Sequence, residues 1–282
     1  MTQIYPTDRE VLALTGEDAP SFLQGLVSAD IAALADGSAA WAALLTPQGK
    51  WLADFFVVRD GDRLLLDVEA GQAAMISARL MRFRLRSKVA MAPAGLAVTL
   101  GWEGAPPAMG LAIDDPRTPE AGFRLLHEPG EGPAATADRD AWDRHRIALG
   151  LPDGSRDMEP EKSILLEAGF DELSGVSWTK GCWMGQELTA RTKYRGLLKR
   201  RLCPVAVEGP LPAPGTPILD AEGAEAGEMR SGTDGIGLAL LRLRAIAAGA
   251  ALRAGDAVLT PRPPAWLTLP ENMPPSVPPS MA

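Results

Sequence analysis

Three apolar runs separated by tight turn signals constrain this chain more than any other feature. Trp41 to Leu45 meets Thr46-Pro47-Gln48-Gly49-Lys50 and resumes as Trp51 to Val58, and Asp60-Gly61-Asp62 then leads into Arg63 to Val68. Short apolar runs bounded by Pro and Gly predict strands, and the brief spacers predict two successive hairpins. Around them the period changes. Leu12 and Leu14 fit a strand, Phe22, Leu23, Leu26, Val27 and Ile31 recur at helical spacing with Asp18 or Ser21 as cap, and Gly71 to Phe83 returns to helix. Val89 to Leu100 predicts a strand pair broken at Pro93-Ala94-Gly95, and Asp138 to Leu149 a further helix. Beyond Lys199, Arg200 to Glu208, Pro217 to Leu219, Gly227 to Arg230, Ile236 to Leu243 and Ala257 to Thr260 are short runs punctuated by Gly and Pro, which predicts a small antiparallel barrel. The chain is thus α+β, with residues 1–199 as one α+β region, 200–268 as the barrel and 269–282 as a Pro-rich tail with little to bury.

Apolar residues make up 46% of the 282 positions and charged residues 23%, an ordinary globular balance. The formal charge of −8 argues against a generally basic nucleic-acid or membrane-surface binder. Cys182 and Cys203 are the two cysteines and there are two histidines, so neither a disulfide framework nor a Cys/His zinc site is expected and no resident metal is assigned. The amino-terminal residues lack a basic segment followed by an apolar run, and no apolar stretch is long enough to span a bilayer, so the expected location is the cytoplasm.

The cations are unevenly placed. Lys180 to Arg201 holds seven of them against the single acid Glu187, a local charge of +6, and Arg79 to Lys88 holds five more. If the fold brings these windows together they form an anion site; otherwise each solvates a helix end or an edge strand. Inside the first window, Lys180-Gly181-Cys182-Trp183-Met184-Gly185-Gln186-Glu187 combines two glycines, a lone cysteine and an amide beside a carboxylate, with Arg191 downstream. Cys182, beside Lys180 and near a helix start at Gly185, is either a thiol whose thiolate is favoured by positive charge or a buried small hydrophobe, whereas Cys203, within Leu202-Cys203-Pro204-Val205, reads as a buried small hydrophobe. Glu167 follows Ile164-Leu165-Leu166 and precedes Gly169; it is either an exposed helical glutamate or a carboxylate placed to accept two N–H bonds from an aminopyrimidine edge.

The stretch Lys180 to Glu187 with Arg191 resembles the signature of the YgfZ family of folate-binding proteins, relatives of the glycine-cleavage T-protein. Thr46-Pro47-Gln48-Gly49-Lys50 with Asp54, Gly150-Leu151-Pro152, Leu166-Glu167-Ala168-Gly169 and Tyr194-Arg195-Gly196 extend the resemblance from about Ala13 to Trp266. It implies a three-domain ring of two interleaved α+β domains and a C-terminal antiparallel β-barrel around tetrahydrofolate or a derivative. It also implies an accessory role in assembly or repair of iron-sulfur proteins, including tRNA-thiolating enzymes, with iron-sulfur proteins or assembly factors as partners. Carried over by position, Glu167, Asp54, Gln186 and Arg191 bind folate, while Lys180, Gly181, Cys182, Gly185, Gln186, Glu187 and Arg191 form the signature. Cys182 is its functional thiol, open to transient iron ligation, a mixed disulfide or the quenching of a one-carbon species. The alternative is a folate-dependent aminomethyl transferase with Asp54 as acid/base group, weakened because Ala53 stands where the T-protein has the first of two aspartates. Direct nucleic-acid binding is not expected, and a monomer is the default.

Overall fold

The computed structural model describes residues 2–269, so the Pro-rich tail expected over 269–282 lies, after Leu269, outside the described residues. Two antiparallel sheets and a closed barrel make up the protein. The five-stranded sheet has the order Ala39–Leu45, Trp51–Asp60, Arg63–Val68, Glu10–Thr15 and Ala90–Pro93. The four-stranded sheet has the order Gln3–Pro6, Ala97–Trp102, Phe123–His127 and Leu111–Asp114. The chain enters the four-stranded sheet at Gln3, leaves it for the other from Glu10 to Pro93, and returns at Ala97, so the two α+β units are interleaved.

Both predicted hairpins form. Leu44 pairs with Ala53 across the turn at 46–50, and Asp60 pairs with Arg63 across Gly61-Asp62, where Gly61 has φ +57°. Trp51–Asp60, second in the five-stranded sheet and its longest strand, sets up the functional region by its alternation. Phe55 and Val57 point to one face, packing with Leu23 of α1 (Ala19–Gln24) and with Ile76 and Leu80 of α2 (Ala73–Met81). Phe56 and Val58 point to the other, toward Phe170, Ile147, Leu100 and Trp142. Asp54 shares that second face.

Two sequence expectations are corrected here. The helical spacing from Phe22 to Ile31 ends early, because α1 stops at Gln24 before Gly25; Val27 makes a bridge to Leu44, and the Gln24 amide oxygen accepts the Ile31 and Ala32 N–H groups. Leu26, Val27 and Ile31 are buried without a helix. Strands Ala90–Pro93 and Ala97–Trp102 do not pair with each other: the first joins Glu10–Thr15, the second Gln3–Pro6, so Pro93-Ala94-Gly95 is a crossover between sheets.

The helix α3 (Arg139–Ala148) is capped by the Asp138 carboxylate, which accepts from the Ala141 N–H at 2.9 Å. A last surface helix before the barrel, α4 (Gln186–Tyr194), follows the signature loop. The six-stranded barrel runs in the order Arg200–Glu208, Ile236–Arg242, Glu225–Thr233, Pro217–Leu219, Leu252–Ala254 and Ala257–Pro261, closed on itself, with Val205, Ile218, Met229, Leu241 and Leu259 in its core. Among the described residues no helix is long and apolar enough to cross a membrane.

Candidate functional site

A cavity of about 170 Å³ opens between the two sheets, α3 and the segment 152–156. Six arginines line it, Arg9, Arg117, Arg124, Arg139, Arg146 and Arg156, together with Asp54, Phe56, Trp142 and Asp153. Guanidiniums this concentrated persist in a folded interior only when paired. Asp67, wholly buried, pairs with Arg9 and with Arg124 at 2.6 Å. Asp115 holds Arg117 by two parallel bonds, Nε to Oδ1 at 2.9 Å and Nη2 to Oδ2 at 2.8 Å. Phe56 stands among three of these groups: the Arg124 guanidinium carbon lies 3.7 Å from its ring centre, that of Arg117 5.0 Å and that of Arg9 5.8 Å. On the far wall Arg146 Nε donates to Asp143 at 2.6 Å, Nη1 to Asp157 at 2.8 Å and Nη2 to the Ser231 hydroxyl at 2.8 Å, joining α3 to the barrel.

Asp54 is 7% exposed and accepts two indole N–H bonds, from Trp41 at 2.8 Å and from Trp51 at 3.1 Å. Burial raises its pKa to about 6, against the opposing pull of the Trp41 N–H, Arg9 and Arg117. A carboxyl in this range exchanges a proton near neutrality. Its effect on stability has a definite sign: between the ordinary value of 3.8 and about 6 the folded state binds more protons than the unfolded one, so Asp54 favours folding as pH falls through that window. Relative to Asp54→Asn, the wild type gains about 2 kcal/mol of unfolding free energy between pH 7 and pH 4. Urea titrations of both proteins across that range check this, and a difference that does not change with pH contradicts it.

The signature loop lies elsewhere. Lys180 Nζ donates to the carbonyls of Val27, at 2.8 Å, and Ala29, at 2.5 Å; burial pushes its pKa down to about 8, with Asp30 opposing. The Met184 N–H bonds the Gly25 carbonyl at 3.2 Å, and Trp183 is buried. Gly185 has φ +84°, and a Cβ there would fall 2.8 Å from Leu45 Cδ1 and 2.9 Å from the Thr46 carbonyl oxygen, so the signature loop seats on the 46–50 turn only through a glycine. Between these anchors Cys182 is exposed. It precedes the first residue of α4 by four positions, and the Lys180 ammonium is engaged by carbonyls, so neither predicted source of positive charge is directed at the thiol. Cys203 is buried, and burial pushes its thiol up to about 12.

The structure does not gather the four residues expected at one folate site. Asp54 lines the cavity; Glu167 is buried outside its lining, where Oε1 accepts from Arg200 Nε at 3.1 Å; Gln186 begins α4, half-buried, and Arg191 is exposed on the same helix, as is Glu187. A separate depression of about 260 Å³ separates the 46–50 turn from α4, lined by Gly49, Leu165, Leu188 and Thr192. The anion site expected from the two cationic windows is corrected as well: the arginines that converge belong to neither window. They come from separate stretches of the chain, with only Arg139 and Arg146 sharing α3, so no local window gathers them. Asp115-Pro116-Arg117 and Gly122-Phe123-Arg124, which belong to the family resemblance, carry two of them, the first as a bidentate pair written within three residues.

Comparisons with known proteins place these features. A family model of the CAF17 C-terminal beta-barrel domain matches residues 199–269. The human mitochondrial iron-sulfur cluster assembly factor IBA57 is 35% identical, covering 83% of this chain and 75% of its own length. Mouse IBA57 is 32% identical, over 84% and 76%. The crystal structure of glycine cleavage system aminomethyltransferase T from Bartonella henselae superposes with a TM-score of 0.74 at 16% identity, covering 92% of this chain and 84% of that one, so the aminomethyltransferase T fold is shared. The cytoplasmic location expected from the amino terminus is contradicted by the first two relatives, which are mitochondrial proteins.

Proposed function

The chain belongs to the family of the IBA57 iron-sulfur cluster assembly factors, and from this we propose that it works at two separate places. Cys182 meets the cluster or thiol of an iron-sulfur protein or assembly factor, tRNA-thiolating enzymes among them, and the cavity around Asp54 takes tetrahydrofolate or a derivative. The observation that carries this reading is the separation itself: Cys182 is exposed on a loop braced from both sides and is absent from the cavity lining. What it reacts with therefore arrives from outside. With Cys203 buried, this chain has one accessible thiol, while clusters held by cysteines commonly take four. The remaining ligands come from the partner.

The cavity residues fit the folate on chemical grounds. Tetrahydrofolate joins a flat ring bearing amide and amino groups to a tail bearing carboxylates; Phe56 and Trp142 offer aromatic surface, Asp54 a carboxylate, and Arg9, Arg117 and Arg139 guanidiniums. When bound, the folate supplies a carrier for a one-carbon unit. Asp54 holds or releases a proton at its carboxyl beside it, and this near-neutral carboxyl is the single observation in favour of the second reading, a folate-dependent one-carbon transferase.

Calorimetric titration of tetrahydrofolate tests the cavity. The wild type binds saturably, Asp54→Asn binds about tenfold or more weakly, and Glu167→Ala, altered outside the lining, is unchanged. Loss in Glu167→Ala with Asp54→Asn unaffected moves the ligand to the α4 side; no binding by the wild type removes the folate and leaves Cys182 as the working group.

A further inference from the structure

The cationic window from Arg79 to Lys88 takes no part in either site. It forms the last turn of α2 and a tight knuckle beyond it, closed by the Arg84 N–H to Met81 carbonyl bond at 3.2 Å and the Ser87 N–H to Arg84 carbonyl bond at 2.7 Å. Its far end is fixed: the Lys88 N–H bonds the Asp18 carboxylate at 2.7 Å, and Gly16 lets the Lys88 carbonyl approach so closely that a Cβ there would lie 2.0 Å from the oxygen. At the tip Leu85 is 90% exposed and adopts φ +45°, a left-handed conformation that a branched side chain rarely takes. Arg82, Phe83, Arg84 and Arg86 flank it, all exposed.

Two features make this surface more than solvated polar chain. Among the described residues, ion pairs reach only Lys88 of this segment, through Glu17, whereas the cavity arginines are all paired with carboxylates. Acids outnumber bases by 36 to 28 in the chain, yet Arg82, Arg84 and Arg86 stand without one. Beside the knuckle lies an open depression of about 810 Å³ lined by Ser21, Phe22, Leu85, Arg86 and Ser87, and by Asp18, whose carboxylate is engaged by the Lys88 N–H. An exposed leucine beside a depression with Phe22 in its lining, ringed by guanidiniums that pair with no carboxylate among the described residues, is complementary to a segment carrying carboxylates around an apolar side chain. A single aromatic among the arginines disfavours stacked RNA bases.

We propose that residues 82–88 and the depression beside them are a docking surface for an acidic polypeptide segment, its carboxylates on Arg82, Arg84 and Arg86 and its apolar side chain between Leu85 and Phe22. The surface stands independently of Cys182, although both are tied to α1: the knuckle binds at its N-terminal end through Asp18, and the signature loop just past its C-terminal end through Gly25.

Fluorescence anisotropy with labelled peptides rich in Asp and Glu around one Leu or Phe tests the proposal, with serine-substituted peptides, phosphatidylglycerol vesicles and oligouridylate as competing probes. The wild type binds the acidic-apolar peptides saturably and less tightly as salt rises. Arg82→Glu, Arg84→Glu and Arg86→Glu together weaken binding about tenfold or more, Leu85→Ser weakens it about threefold or more, and Cys182→Ala leaves it unchanged. All of these side chains are exposed, and an unaltered Tm verifies folding. Absent peptide binding, peptide binding that survives the triple reversal, or vesicle or oligouridylate binding through these arginines in place of the peptide overturns the proposal.

Discussion

Replacing Arg146 with Met lowers the free energy of unfolding by about 3 to 5 kcal/mol, the range for removing one partner from a buried ion-pair network. Arg146 is 1% exposed, and four of its five N–H groups serve Asp143, Asp157, the Leu151 carbonyl and the Ser231 hydroxyl. Met fills comparable space but satisfies none of these acceptors. Asp157 is then left with the Asp153 N–H, the Ser231 N–H and the Ser231 hydroxyl, and no cation beside it. Because these bonds span α3, the 151–157 segment and the barrel, the loss falls on the junction that forms the far wall of the cavity. Urea unfolding measures it, with Arg242→Met as reference: that guanidinium is exposed and paired with exposed Glu225, a contact worth under about 1 kcal/mol. A loss from Arg146→Met no larger than that of the reference contradicts the network's role.

The same contrast explains what was legible in the sequence. Hairpins were, because turn residues and apolar runs act over a few positions: Gly49 and Gly61 take the positive φ their turns need. The barrel was legible in its long strands and missed Leu252–Ala254, three residues with a single exposed arginine between two buried neighbours. Helical spacing around Leu26 and Ile31 was misleading, since burial of apolar side chains does not say which backbone buries them. The cavity was not legible. Arg9 and Arg124 meet at Asp67 from more than fifty residues away on either side, and no local window records such a meeting. Charge density along the chain marked Arg79 to Lys88 and Lys180 to Arg201, but most of those cations lie on the surface, with Arg201 buried against Glu172 and Lys180 on backbone carbonyls, while the ones that converge on the cavity were scattered. The signature loop falls between these cases. Gly185 reads as a glycine with a reason once Leu45 and Thr46 are seen behind it, and Cys182 as a thiol facing out.

Cys182→Ala abolishes function without disturbing the fold. The side chain is exposed, no hydrogen bond of the loop depends on it, and the anchors that brace the loop, Lys180, Trp183, Met184 and Gly185, remain. Surface substitutions of this kind alter stability by under about 0.5 kcal/mol. A functional collapse in a protein of unchanged Tm therefore reports chemistry at the sulfur. Cys203→Ala is the complementary control, since that thiol is buried in the barrel core and held protonated. It costs stability and spares function.

The most direct measurement is the activity of iron-sulfur enzymes in cells lacking their own family member and supplied with this chain. Wild type and Cys203→Ala restore that activity, the latter in proportion to the folded protein present, and Cys182→Ala at equal abundance restores none. Full restoration by Cys182→Ala would contradict the account, because the one accessible thiol of the chain would then have no part in what its family does.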